Sequence, residues 1–169
     1  MTKLHQRITK PKHQPAPLYT HLMHRIRIAA QLLLGVMLTY AGITHLTTSR
    51  IEFQAQVPTW LPLSPDFVVI ASGVVEILLG LCLISLQRRR HVGIATALFF
   101  VAIFPGNISQ YLNGIDAFGL DTDRARAIRL LFQPLLVLWA LWATEFWQPR
   151  KTTPPATQRD DLEEDTIYG

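Results

Sequence analysis

The sequence predicts an all-α protein, a four-helix transmembrane bundle of up-down-up-down topology. Three observations carry that prediction. Four long runs are apolar and almost free of charge, each near the ~20 residues that a helix needs to cross a bilayer. The basic residues gather at alternate connections rather than spreading along the chain. Prolines and glycines concentrate between the runs, where chain reversals are needed. Of 169 residues, 49% are hydrophobic and 17% charged, and polar ends dilute a very apolar middle. A soluble domain of this length would show amphipathic or alternating patterns instead.

Residues 1–24 contain Pro11, Pro15 and Pro17 among basic and polar residues and read as a flexible cytoplasmic arm. Up to residue 27 there are six Lys or Arg (Lys3, Arg7, Lys10, Lys12, Arg25, Arg27) and no acid. Such an arm can bind nucleic acid, but directly before a membrane span it is a topology signal, so no nucleic-acid partner is expected. The long basic lead, with no small-x-small site after the apolar run, predicts a retained signal anchor rather than a cleaved peptide.

The first span is expected at 28–46. Gln31, Gly35, Leu38, Gly42 and His45 fall at alternating steps of four and three and line one face. Small residues on such a stripe admit a close neighbour. Residues 47–65 then hold Pro58, Pro62, Pro65 and Trp60, a loop at the membrane interface whose middle can form a short surface helix.

The second span, 67–86, carries a carboxylate at Glu76, ten residues in from Asp66, or roughly 15 Å along a helix axis. An acid at that depth costs several kcal/mol unless paired or neutralised, so it should have a partner. Ser72, Glu76 and Gly80 share a face, which should point into the bundle. The lone cysteine, Cys82, excludes an internal disulfide or a dithiol centre and reads as a packing residue.

The Arg88-Arg89-Arg90 turn leads at once into the third span, 91–110, so these two helices are expected as antiparallel neighbours. Pro105-Gly106-Asn107 predicts a break that leaves the Val101 carbonyl for another donor. In the following loop, Asp121-Thr122-Asp123 reads as a helix N-cap; with no third ligand in view, no metal site is assigned. The fourth span, 127–147, carries Arg129 and Gln133 one turn apart, then Pro134, with Trp139, Trp142 and Trp147 in its far half. Residues 148–169 read as a disordered, acidic cytoplasmic tail.

Basic residues at the amino-terminal arm, at 88–90 and at Arg150 and Lys151 place both termini in the cytoplasm of a cell with an inner (plasma) membrane. In that orientation His45, Glu76, Asn107, Arg129 and Gln133 all converge on the outer half of the bundle, and Gln31 alone lies in the inner half. Arg129 is the expected counter-charge of Glu76, with Gln133 bridging them and His45 and Asn107 completing a network. Two readings stand side by side. In one, the network is a structural clasp that fixes helix register. In the other, it lines an outer-side pocket for a small polar or quinone-like molecule, with His45 able to exchange protons.

Four segments taken together carry a resemblance: GITH at 42–45, SGVVEILLGL at 72–81, FPGNI at 104–108 and RLLFQP at 129–134. Over residues 28–147 their order and spacing resemble the DoxX-like family of small multi-pass membrane proteins. The resemblance implies a four-helix membrane bundle and an association with quinone-linked oxidoreductases, and it matches the family's recurrent polar positions to His45, Glu76, Asn107, Arg129 and Gln133. Leu131 departs from that pattern, where relatives commonly have proline. The expectation is a membrane subunit or accessory of a quinone-linked redox system, in contact with the bilayer and with an oxidoreductase partner subunit. It is not expected to be catalytic on its own, and quinone is the one cofactor the resemblance suggests. The sequence has no haem-type histidine pair within the spans and no nucleotide-binding glycine pattern. The alternative is a non-catalytic assembly or structural protein, and a transporter is the weaker third reading because no internal repeat is visible.

Overall fold

The computed structural model describes residues 18–148; residues 149–169 of the expected tail at 148–169 and most of the amino-terminal arm lie outside the described residues. Five helices follow in order: α1 (Leu18–Leu46), α2 (Arg50–Gln54), α3 (Pro65–Ile84), α4 (Arg89–Leu112) and α5 (Asp123–Ala143). Four of them, α1, α3, α4 and α5, are long and apolar enough to cross a bilayer, and the chain is a multi-pass membrane protein.

The helix ends differ from the apolar limits for identifiable reasons. α1 begins at Leu18, so residues 18–24, expected in the flexible arm, are helical. Hydropathy marks where a helix enters lipid, whereas its backbone hydrogen bonds run on until the sequence breaks them. α3 starts on Pro65, whose missing N–H costs nothing at the first helical position. It closes into a turn in which Leu86 and Arg88 take positive φ (58° and 44°). α5 starts earlier than expected because the Thr122 hydroxyl accepts the Ala125 N–H at 3.2 Å. It ends earlier too. Glu145 takes positive φ (61°) and the Phe146 N–H reaches back to the Leu141 carbonyl at 3.0 Å, leaving Trp147 beyond the helix. Pro105 and Pro134 both lie inside continuous helices, so the expected break in the third span does not occur.

The four long helices alternate in direction. α1 packs against α3 and α4 against α5; α3 touches α4 and α1 touches α5 more sparingly. The turn at 85–88 thus joins antiparallel neighbours, but neighbours of minor contact. α1 and α4, like α3 and α5, sit on diagonals of the bundle, with no close approach of their backbones. The α1–α3 seam is made by small residues. A Cβ on Gly73 would sit 2.8 Å from the Cβ of His45 and 3.0 Å from the Gly42 carbonyl oxygen. Lipid gives helices no hydrophobic reason to associate, so this close van der Waals fit is what holds the pair.

Leu34, Leu38, Leu83, Ala97, Phe100 and Ala140 form the buried apolar core. Most large apolar side chains instead point outward, as a bilayer requires. Cys82 is among the outward residues and packs nothing in the core.

Candidate functional site

Between the four long helices lies a cavity of about 530 Å³, at the end that carries α2 and both long connections. Its walls are mostly apolar, with Leu34, Leu38 and Phe100 of the core at one limit and Phe53, Trp60 and Leu61 from the α2 connection at the other. All five polar residues expected to converge, His45, Glu76, Asn107, Arg129 and Gln133, line this cavity. They form two pairs on different helix pairs rather than one network.

The first pair joins α1 and α3. Val69, Gly73, Glu76, Gly80 and Leu83 are the buried stripe of α3, recurring at steps of four and three. Glu76 is only 4% exposed. Its Oε2 lies 3.1 Å from His45 Nδ1. That nitrogen also lies 2.7 Å from the Ala41 carbonyl oxygen, which can only accept, so Nδ1 bears the hydrogen and donates it there. That hydrogen is therefore not given to Glu76, whose Oε2 has no hydrogen-bond partner among the described residues. The other face of the imidazole is fixed by Phe53 of α2, stacked at 3.3 Å between ring centroids.

The second pair joins α4 and α5. Asn107 Nδ2 donates to Gln133 Oε1 at 3.0 Å, and Gln133 Nε2 donates to the Phe100 carbonyl at 2.6 Å. The helix carbonyl that gains a side-chain donor near Pro105 is thus Phe100's, one residue before the expected Val101.

Arg129 is not the partner of Glu76. Its guanidinium lies over the Phe118 ring, 5.0 Å from the centroid, at the rim of the cavity. The cause is the diagonal placement of α3 and α5, while the glycine seam brings α1, and with it His45, directly against α3. Gln133 accordingly bridges Asn107 to α4 and not Glu76 to Arg129.

Several groups lay beyond the sequence reading. Arg126 is buried and binds Asp116 at 2.6 Å, Asp123 at 2.8 Å and the Leu120 carbonyl at 2.9 Å. Arg126, Gln133 and Ala140 recur every seven residues, and that heptad marks the inward face of α5 better than the Arg129–Gln133 spacing did. Gln56, next to the cavity, leaves its Nε2 without a partner. It sits close because position 106 is glycine: a Cβ there would meet the Gln56 carbonyl oxygen at 2.5 Å. At the opposite end of the bundle Gln31 donates to the Leu83 carbonyl at 2.8 Å and accepts from Arg89 Nε at 2.7 Å. Arg89 also reaches the Ala143 carbonyl at 2.8 Å and Glu145 at 3.2 Å. The basic turn therefore closes the bundle as well as marking topology.

Among the described residues, no cluster of three or more His, Cys, Asp or Glu has metal-binding geometry. The family model described as "Domain of unknown function (DUF8561)" matches residues 34–144, a stretch that includes both polar pairs and the cavity walls on all four long helices. No curated protein and no solved structure matches the chain.

Proposed function

From the premise that the chain belongs to the DUF8561 family, we propose that it is a membrane-embedded binding subunit for a quinone-type molecule, an apolar body with an oxygen-bearing head. One observation carries this reading: an apolar cavity of about 530 Å³ ends at a buried carboxylate whose Oε2 has no partner. The volume lies within the ~300–1,000 Å³ of small-molecule sites, whose usual design is apolar walls with a few placed polar groups. A polar atom left unsatisfied in a dry interior costs about 1–3 kcal/mol, which a bound head group would recover. With one cysteine the chain has no thiol pair, and in keeping with the DoxX-like resemblance electrons would pass through a partner oxidoreductase subunit. The basic residues at 25–27 and 88–90 support an inner-membrane orientation with both termini cytoplasmic and the cavity toward the outer leaflet.

A structural role fits one half of the site. Asn107 and Gln133 satisfy each other and the Phe100 carbonyl, and so act as a clasp between α4 and α5. Glu76 has no such closure, and that asymmetry favours a ligand.

The test is binding of a short-tailed ubiquinone and of its reduced form to the full chain in lipid nanodiscs. At least one form should bind saturably, and Ser72→Phe, which fills the cavity from its α3 wall, should weaken it at least ~10-fold. Absence of saturable binding, or binding indifferent to Ser72→Phe, rules the reading out.

A further inference from the structure

We infer that the cavity recognises a hydroxyl group: its ligand donates an O–H to Glu76 Oε2, so the bound form is a phenol or quinol rather than an acceptor-only quinone. This rests on the reading of the cavity as a ligand site and assigns the chemistry of its head.

The inference follows from counting donors around the buried carboxylate. A carboxylate oxygen only accepts. His45 Nδ1–H lies 3.1 Å from Glu76 Oε2, and its hydrogen is directed to the Ala41 carbonyl, 2.7 Å away. Asn107, Gln133 and Ser72, also in the walls, already hold partners within the protein. Asn107 gives one Nδ2 hydrogen to Gln133, Gln133 gives one of its own to Phe100, and the Ser72 hydroxyl gives its to the Val69 carbonyl at 3.0 Å. Among the buried side-chain atoms of the walls, Glu76 Oε2 and Gln56 Nε2 are left without a partner, while the Arg129 guanidinium lies over Phe118 at the rim. A quinone has carbonyl oxygens alone and would set a lone pair against a carboxylate. A quinol or phenol supplies the missing donor. Sites built to bond a hydroxyl reject the analogue that lacks one strongly, because the buried acceptor is then stranded.

The test compares 4-heptylphenol with 4-heptylanisole, which differ by methylation of the one oxygen. Binding to the full chain in nanodiscs is read from quenching of tryptophan fluorescence, since Trp60 lines the cavity. The phenol should bind at least ~10-fold more tightly than the anisole, the scale of a charge-assisted hydrogen bond. In Glu76→Met the ratio should fall to within ~2-fold while the anisole still binds. Should Glu76→Met fail to fold, Glu76→Gln retains an uncharged acceptor and should show a reduced ratio. Equal binding of the two probes to the unaltered chain overturns the inference and leaves the cavity reading standing. A ratio unchanged in the Glu76 variant overturns it too, because the hydroxyl is then read elsewhere. Failure of both probes, and of the ubiquinone pair, overturns the inference and the cavity reading together.

Discussion

His45 and Glu76 stand 3.1 Å apart on neighbouring helices, yet the hydrogen on the facing nitrogen belongs to Ala41. Glu76 Oε2 thus sits beside the imidazole with an unfilled hydrogen-bond site. Three other residues hold this arrangement in place. Gly73 lets His45 reach α3, Phe53 stacks on the imidazole, and Ala41, one turn earlier on the same helix, takes its hydrogen.

If the seam sets that distance, enlarging it should disturb both stability and site. Gly73→Val would drive a side chain into His45 Cβ and the Gly42 carbonyl, which no rotamer avoids. We expect a loss of about 1–3 kcal/mol, read as a lowered thermal midpoint in detergent, together with weakened ligand binding. Cys82→Val, on the outward face of the same helix, should change neither. A Gly73→Val protein as stable as the parent would show that the seam is not close-packed.

The Asn107–Gln133 pair makes a separable claim. Gln133→Leu removes the acceptor for Asn107 and the donor to Phe100, and should cost roughly 0.5–2 kcal/mol, as for other hydrogen bonds between membrane helices. A double-mutant cycle with Asn107→Ala, measured by denaturant unfolding in mixed micelles, should return a coupling of similar sign and size. Additive effects would mean that the two side chains do not work together.

How much of this was legible in the residues depends on which force positions each one. The all-α bundle, the α1 stripe from Gln31 to His45 and the inward Glu76 were visible because lipid enforces helices and small or polar residues mark the protein-facing stripe. So were the Thr122 cap and the short helix at α2, which local chemistry specifies. The partner of Glu76 was not. Depth along the axis put Arg129 within reach, but which helices are neighbours and which are diagonal is a property of packing around the whole bundle, and it favoured His45. The same holds for Arg89, a topology marker by sequence whose guanidinium also ties Gln31, Ala143 and Glu145 together. Gln56 gave no signal, because its position depends on glycine at 106 in a distant helix.

Arg50 and Asp66 make a testable strap between α2 and α3. Two parallel bonds, Nε to Oδ1 at 2.6 Å and Nη2 to Oδ2 at 2.5 Å, tie α2 to the first turn of α3. Both side chains are well exposed, so Arg50→Gln should cost under ~1 kcal/mol in global stability. Its effect should be local: faster backbone hydrogen exchange over 50–57, where α2 carries Phe53 onto His45, with the four long helices unchanged. Unchanged exchange in that segment would show that the ion pair does not restrain α2.

At the opposite end of the bundle, Glu145 gives the protein a defined sensitivity to acid. Partial burial opposes its ionisation, but the His24 hydrogen bond at 2.8 Å and the charges of Arg89, His24 and Arg27 outweigh that and hold the carboxyl below its ordinary range. A carboxyl more acidic in the folded than in the unfolded chain stabilises the fold at pH values above the unfolded value, near 4.3 for glutamate. That contribution fades as pH drops through the folded value. The thermal midpoint in detergent should therefore fall on acidification from about pH 6 to pH 3, and Glu145→Gln should be less stable at pH 6 and show a shallower decline. Arg89→Gln should flatten the profile in the same direction, because it removes one of the charges that favour the ionised form, and should in addition lower stability at every pH by leaving Gln31 and the Ala143 carbonyl without their donor. A Glu145→Gln profile parallel to that of the parent would place the acid sensitivity in another carboxylate.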